Sequence, residues 1–251
     1  MSRSQRVPSK AAHSSARFGL TSVLLVALGA GLAFLRLVAP FHGFLVMLLG
    51  LALGLAGLVT AIVGIQATRP HKERHGRGHA LRGLVLSLAA VLLVLFPAVR
   101  AGEVPRINDI STDLADPPIF ISAATLDENR SHDMGYPGEE FARQQRRGYP
   151  DLSHLILTVS PESAFDKAHA ALDAMPRVRI TGEDRKEGRI EAVQTSALFH
   201  FADDIVVRVR PFEGGSKIDV RSKSRDGKSD FGVNAARIRD LFARIKADRA
   251  K

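Results

Sequence analysis

The sequence predicts an N-terminal three-helix transmembrane region joined to a two-layer α+β soluble domain, ordered β-α-β-β-β-β-α around a mainly antiparallel sheet. Three observations carry that expectation. Three apolar runs without Asp, Glu, Lys or Arg lie before residue 100. From residue 154 onward, strand-like alternation and two helical stripes replace them. The excess positive charge is confined to the first region: residues 1–99 carry ten Lys/Arg against Glu73 alone, whereas residues 100–251 carry 25 of each sign. Charge placed around apolar runs is a membrane-topology signal rather than a polyanion footprint, so no nucleic-acid partner is expected.

Residues 1–17 form a basic tail, with Arg3, Arg6, Lys10 and Arg17. The runs at about 18–35, 41–67 and 83–99 are each long enough to cross a hydrocarbon core of roughly 30 Å as a helix. The second is about 40 Å long at 1.5 Å per residue and must tilt or enter the headgroups. A cleaved signal peptide would precede a soluble chain, whereas here two further runs follow the first. Gly50, Gly54 and Gly57 in the second run would let neighbouring helices approach closely. Arg69, Lys72, Arg74, Arg77 and Arg82 fill the loop between the second and third runs, against Arg36 alone between the first two. Basic loops stay on the cytoplasmic side. The N-terminus is therefore expected inside, in a cell inner (cytoplasmic) membrane crossed three times, and the C-terminal domain outside, in a periplasm where there are two membranes.

The chain has no cysteine, which removes disulfides, thiolate metal sites and cysteine nucleophiles together. His71, His75 and His79 recur every four residues, but Gly76 and Gly78 argue against the helix that would align them. They are read as a solvated basic loop, and neither a metal nor a cofactor is expected.

Residues 100–153 show no sustained period and are rich in Asp, Pro, Gly and Tyr, which suits an irregular wrapping or linker segment; one helical turn is expected around Arg143–Arg147. The regular domain is expected over 154–251. "HLILTVS" opens it as a strand, and Ser160 and Pro161 cap and start a helix whose stripe is Ala164, Phe165, Ala168, Ala171, Leu172 and Met175. Strands are expected at about 177–183, 188–200, 203–211 and 216–225. A last helix over 233–248 should bury Val233, Ile238, Leu241, Phe242 and Ile245. With a turn at Phe212–Gly215, the final hairpin sets Val209 against Ile218 and Val207 against Val220 inside, and Arg208 against Asp219 and Asp204 against Lys223 outside. A slip of one residue would oppose apolar to charged side chains. That register places Ser222 and Ser224 on the inner face and Arg221, Lys223 and Arg225 on the outer one.

"NDISTD", "YPDL", "RIEAVQTSALFHFADDIVVRV" and "IDVRSKSRDGKSDFGVNAARIRDLF" together resemble the family called domain of unknown function 1499, over about 108–245. The family often follows membrane-spanning helices in bacterial proteins. The resemblance implies a domain and its extent, and no activity.

The candidate site is the polar cluster Arg221, Ser222, Ser224, Arg225, Ser229, Asp230, Asn234 and Arg237, expected where the last strand meets the last helix. Helix N-termini and arginine forks favour an anion there. The competing reading is structural: Asp230 caps the helix, Arg237 pairs with it, and the serines satisfy buried backbone. Asn108, Asp109 and Asp113 are secondary candidates, the two aspartates as carboxylates for a cation or a hydrolytic water with Asn108 beside them, although an Asx-rich loop explains them equally well. "GKS" at 227–229 lacks the strand-loop-helix context of a phosphate loop, and neither G-x-S-x-G nor HExxH occurs. Two readings follow. The first is a non-catalytic binding or interaction module facing an anionic small molecule, a lipid headgroup or an envelope protein, with the lipid bilayer as the constant partner. The second is a membrane-anchored hydrolase-like enzyme in which Asp109 and Asp113 fold onto the Arg221–Asn234 cluster.

Overall fold

The computed structural model describes residues 7–70, 72, 74–100 and 104–247, and they form two compact units. His71 lies outside the described residues.

The first unit is three helices, α1 (Lys10–Phe34), α2 (Pro40–Ala67) and α3 (Arg77–Arg100), with a short parallel bridge of β1 (Val7–Pro8) to β2 (Arg74–His75). All three helices are long and apolar enough to cross a membrane. The first and third begin earlier than their apolar runs, because Lys10, Arg17 and Arg82 sit in basic helical extensions that belong near headgroups. His75 lies in β2 and His79 in the first turn of α3, so no single helix aligns the histidines.

Small side chains set the spacing of these helices. A Cβ on Gly50 would meet Val26 N at 2.9 Å and Ser22 O at 3.0 Å, and one on Gly57 would lie 2.1 Å from Ser87 Oγ. Close backbone approach also lets the buried Ser22 hydroxyl donate to Gly50 O at 2.7 Å across the α1–α2 interface. Where lipid tails are as apolar as leucine, such packing and hydrogen bonding hold helices together.

The second unit has the expected element order with additions before it. Strand β3 (Asp109–Ser111) and helix α4 (Glu139–Gly148) precede β4 (Leu155–Leu157), α5 (Pro161–Asp173), β5 (Val178–Asp184), β6 (Arg189–Thr195), β7 (Ala202–Phe212), β8 (Gly215–Ser224) and α6 (Val233–Ala247). The sheet runs β3-β8-β7-β6-β5, all antiparallel, with β4 sharing the β8 edge with β3. The β7–β8 register has every predicted pair, including Val209 with Ile218, Val207 with Val220, Arg208 with Asp219 and Asp204 with Lys223. Ser160 caps α5 through the Ser163 amide, and Pro161 stands at its start. Strand β6 is shorter than the expected 188–200: it stops at Thr195, where the Ser196 amide donates to Phe201 O at 2.9 Å.

Helices α5 and α6 cover one face of the sheet, where Phe165, Leu172, Ile190, Ile205, Val207, Val220, Ile238, Leu241 and Ile245 form the main core. Val233, expected in that core, is half exposed at the start of α6.

The other face differs most from expectation. The segment after β3 passes over it, and Phe120, Ala123 and Val206 make a second, smaller core there. Asp204, Asp219 and Arg221, predicted on the outer face, are therefore buried. Residues 104–153 are irregular for much of their length, yet they also supply an edge strand and a ten-residue helix to the domain. Gln145 of α4 ties that strand by accepting from Ser111 N at 3.0 Å and donating to Ser111 O at 2.6 Å.

Candidate functional site

Alternation along β8 sends Ser222 and Ser224 to the helix side and Arg221 and Lys223 to the other, because successive strand residues face opposite ways. The predicted cluster is thereby divided by the sheet itself.

On the helix side, Ser222 Oγ donates to Asn234 Oδ1 at 2.7 Å, and Asn234 Nδ2 donates to Ser224 Oγ at 3.0 Å and to Asn108 O at 3.2 Å. Arg237 reaches in from α6 to Ser222 Oγ at 2.8 Å and also bonds Asn234 Oδ1, Gln194 Oε1 and Asp203 Oδ2. Its expected partner was Asp230. That carboxylate instead caps α6, accepting from Gly232 N and Asn234 N at 2.9 Å each, so Arg237 pairs with Asp203 across the sheet end. Burial pushes the Asp203 carboxyl above its ordinary range in spite of the neighbouring Arg237 charge. The network is buried and its donors are used internally.

On the far face, Arg221 is enclosed, with 1% of its side chain exposed, and Asp109 is fully buried beside it. Arg221 Nε and Nη2 donate to the two Asp109 oxygens at 2.8 and 2.7 Å, a bidentate fork. Its remaining donors go to Pro118 O, Met134 O and Gly135 O, while Phe120 and Tyr136 lie over the guanidinium at 4.8 and 5.4 Å. Burial raises the Tyr136 hydroxyl to about 12, so it stays neutral. Arg225 forms a second fork with Asp204, at 2.9 and 2.7 Å, and Asn129 donates to the same carboxylate.

Asp113 lies elsewhere on this face, beside Asp116 and Asp219, where Arg208 and Arg210 bind all three carboxylates. Burial raises the Asp113 carboxyl, but the Asp116 and Ala115 amides and the Lys217 and Arg208 charges outweigh it and hold it below its ordinary range. Glu191, which the sequence analysis did not single out, is 1% exposed and accepts from the amides of Ile121, Ser122 and Ala123 at 2.9, 3.0 and 2.8 Å. A glutamate in mid-strand among β-formers was its only sequence signal.

The structure thus brings Asp109 to Arg221, Asp230 to the start of α6, and Ser222, Ser224, Asn234 and Arg237 to one another. Asn108 donates to Gly227 O at 2.8 Å and fastens the loop after β8. Ser229 remains partly exposed in that loop, next to exposed Lys228. Both Asp109 oxygens are engaged by a guanidinium, which leaves it poorly suited to activate water. Among the described residues, no group of three or more His, Cys, Asp or Glu is arranged to hold a metal ion.

Residues 109–245 match the family described as "Protein of unknown function (DUF1499)". No curated protein matches the chain. Solved structures similar to it include Ara h 8.0201, with 12% identity and a TM-score of 0.30 over 38% of this chain and 93% of that one. TTHA0849 from Thermus thermophilus has 8% identity and a TM-score of 0.23 over 39% of this chain and 97% of that one.

Proposed function

The chain belongs to the family of proteins of unknown function DUF1499, and from that premise we propose that it is an integral membrane protein presenting a non-catalytic interaction domain outside the cytoplasm. The observation that carries the non-catalytic part is the closure of the Asp109–Arg221 fork. Each carboxylate that a hydrolase would need is already a structural partner: Asp109 to Arg221, Asp204 to Arg225, and Asp113 to Arg208 and Arg210.

Location rests on charge. Basic residues surround the start of α1 and the α2–α3 connection, and the chain from residue 100 onward is neutral, so the N-terminus and that connection belong in the cytoplasm of an inner-membrane protein. The domain would then meet an anionic small molecule, headgroup or envelope protein through the loop following β8, where Lys228 and Ser229 reach solvent, rather than through the arginines beneath it.

A chain without cysteines allows a direct test. Cysteines are introduced singly at Lys72 and at Glu213, and intact cells are treated with a membrane-impermeant maleimide. Labelling at Glu213→Cys but not at Lys72→Cys until the membrane is broken supports the proposal. The reverse pattern places the domain in the cytoplasm and defeats it.

A further inference from the structure

We propose that the loop from Asp226 to Val233 is a membrane-contacting tip, in which Phe231 enters the interfacial layer of the bilayer while Lys228 and Arg147 meet anionic headgroups. The inference rests on the reading that α1–α3 span a membrane, and it is independent of which side the domain occupies.

Phe231 is the strongest observation. The residue is 59% exposed, and its backbone lies in the left-handed region at φ 52°. That conformation is uncommon for a bulky residue and is kept only where the surroundings enforce it. The enforcement is visible. The Asp230 carboxylate fixes the amides of Gly232 and Asn234, the Asp230 amide donates to Ile107 O at 3.2 Å, and Gly232, also left-handed, continues the turn. A well-tied loop thus holds an aromatic ring out of the core, with Val233 beside it, 50% exposed.

The place of the loop in the domain names the occupant. Gly232 sits against Val104, whose Cγ1 would be 3.3 Å from a Cβ there, and Asn108 holds Gly227. The loop therefore runs beside residues 104–108, the segment by which the chain enters the domain. Val104 follows the last residue of α3 by four positions, a stretch of at most about 14 Å when extended. Val104 also lines an open depression of about 340 Å³ with Pro105, Gln144, Arg147 and Gly148. Lys228 and Arg147 are exposed and make no ion pair among the described residues, unlike Arg143 and Arg146, which pair with Glu140 and Glu139. Unpaired cations around a protruding aromatic match an anionic interface, where aromatic rings settle at headgroup depth.

The chain has no tryptophan, so Phe231→Trp gives a single reporter in the full-length protein. Ile156→Trp is the control: Ile156 is 47% exposed and pairs with Lys217, toward the opposite end of β8. Both variants are reconstituted in vesicles of phosphatidylcholine with one part in about three of phosphatidylglycerol, an anionic surface, with and without lipids brominated near the headgroup. The expected result is blue-shifted emission and quenching several-fold greater for Phe231→Trp than for the control, weakened by Lys228→Glu. Val233→Trp repeats the measurement should the first variant misfold. Solvent-like emission from both reporters, or quenching no stronger than at Ile156→Trp, overturns the proposal. Quenching that persists when maleimide labelling places the domain inside would keep the tip and discard only the extracytoplasmic location.

Discussion

Arg221 of β8 and Asp109 of β3 form a two-bond fork in the interior, at 2.8 and 2.7 Å, with neither side chain open to solvent. The strands pair with Ser111 opposite Arg221 and Lys223 opposite Asp109, so the two side chains are diagonal neighbours on one face. A residue expected to greet an anion in solution is instead the centre of a covering layer. It also receives the Pro118, Met134 and Gly135 carbonyls of the segment lying over it.

Glu191 should govern how firmly that layer is held. Three amides depend on its carboxylate, and bonds to a charged acceptor are worth about 1.5–3 kcal/mol each. Glu191→Ala is expected to speed amide exchange at Ile121, Ser122 and Ala123 well before the helix-side core, where Leu172 and Leu241 should be little changed. Exchange mass spectrometry of the full chain in detergent measures this. Uniform acceleration across the domain would show that the layer is not a separate unit.

Acid should loosen the cluster around Asp113. Its folded carboxyl lies below the ordinary value, so its contribution is present above the unfolded value near 3.9 and is lost as pH falls through the folded one. Asp203, pushed up by burial, acts with the opposite sign: its contribution is present below about 3.9 and is lost as pH rises through the folded value. Asp113→Asn is expected to flatten the stability profile below pH ~4. An unchanged acid slope in denaturant titrations would contradict this.

In the first unit, Gly50→Val should cost far more than Ser22→Ala. The serine change removes one interhelical hydrogen bond, worth about 0.6 kcal/mol on average. The valine drives a side chain into the Val26 and Ser22 backbone at distances of 2.9 and 3.0 Å, where only displacement of α1 can relieve it. Thermal unfolding in detergent should fall by a few degrees or less for Ser22→Ala and by much more for Gly50→Val. Equal shifts would mean that the interface does not depend on close approach.

The apolar helices, the element order after residue 154 and the β7–β8 register were legible because each has a strong local signal. Val207, Val209, Ile218 and Val220 alternate with charged residues, and the pairing that sets them against one another also sets Arg208 against Asp219 and Asp204 against Lys223. The cover over the far face was not legible. Alternation marks Arg208, Asp219 and Arg221 as polar, and a polar residue in a strand ordinarily means solvent; here the ion pairs lie under a second layer. That layer has no period, and β3 is three residues long. Its readable traces were the apolar run Ile119–Ile121 and Met134 in a stretch rich in Asp, Pro and Ser, and Glu191 among β-formers. The candidate cluster is contiguous in sequence but is split by the strand pleat, which separates Arg221 from Ser222. Asp230 was read correctly as a helix cap. The partner of Arg237 was not, because Asp203 is 34 residues away and reaches it only through the sheet.

The most direct test is a double-mutant cycle of Asp109→Leu and Arg221→Met, read by pulse proteolysis of the full chain in urea. If the fork is structural, each single change takes from a buried charge its bidentate partner, leaving Asp109 only Lys223 Nζ at 3.3 Å and Arg221 only neutral carbonyls; each costs about 3–5 kcal/mol, and the double variant recovers most of that loss. Additive losses, or single variants as stable as the parent, would contradict the account and return Arg221 and Asp109 to consideration as a binding or catalytic pair.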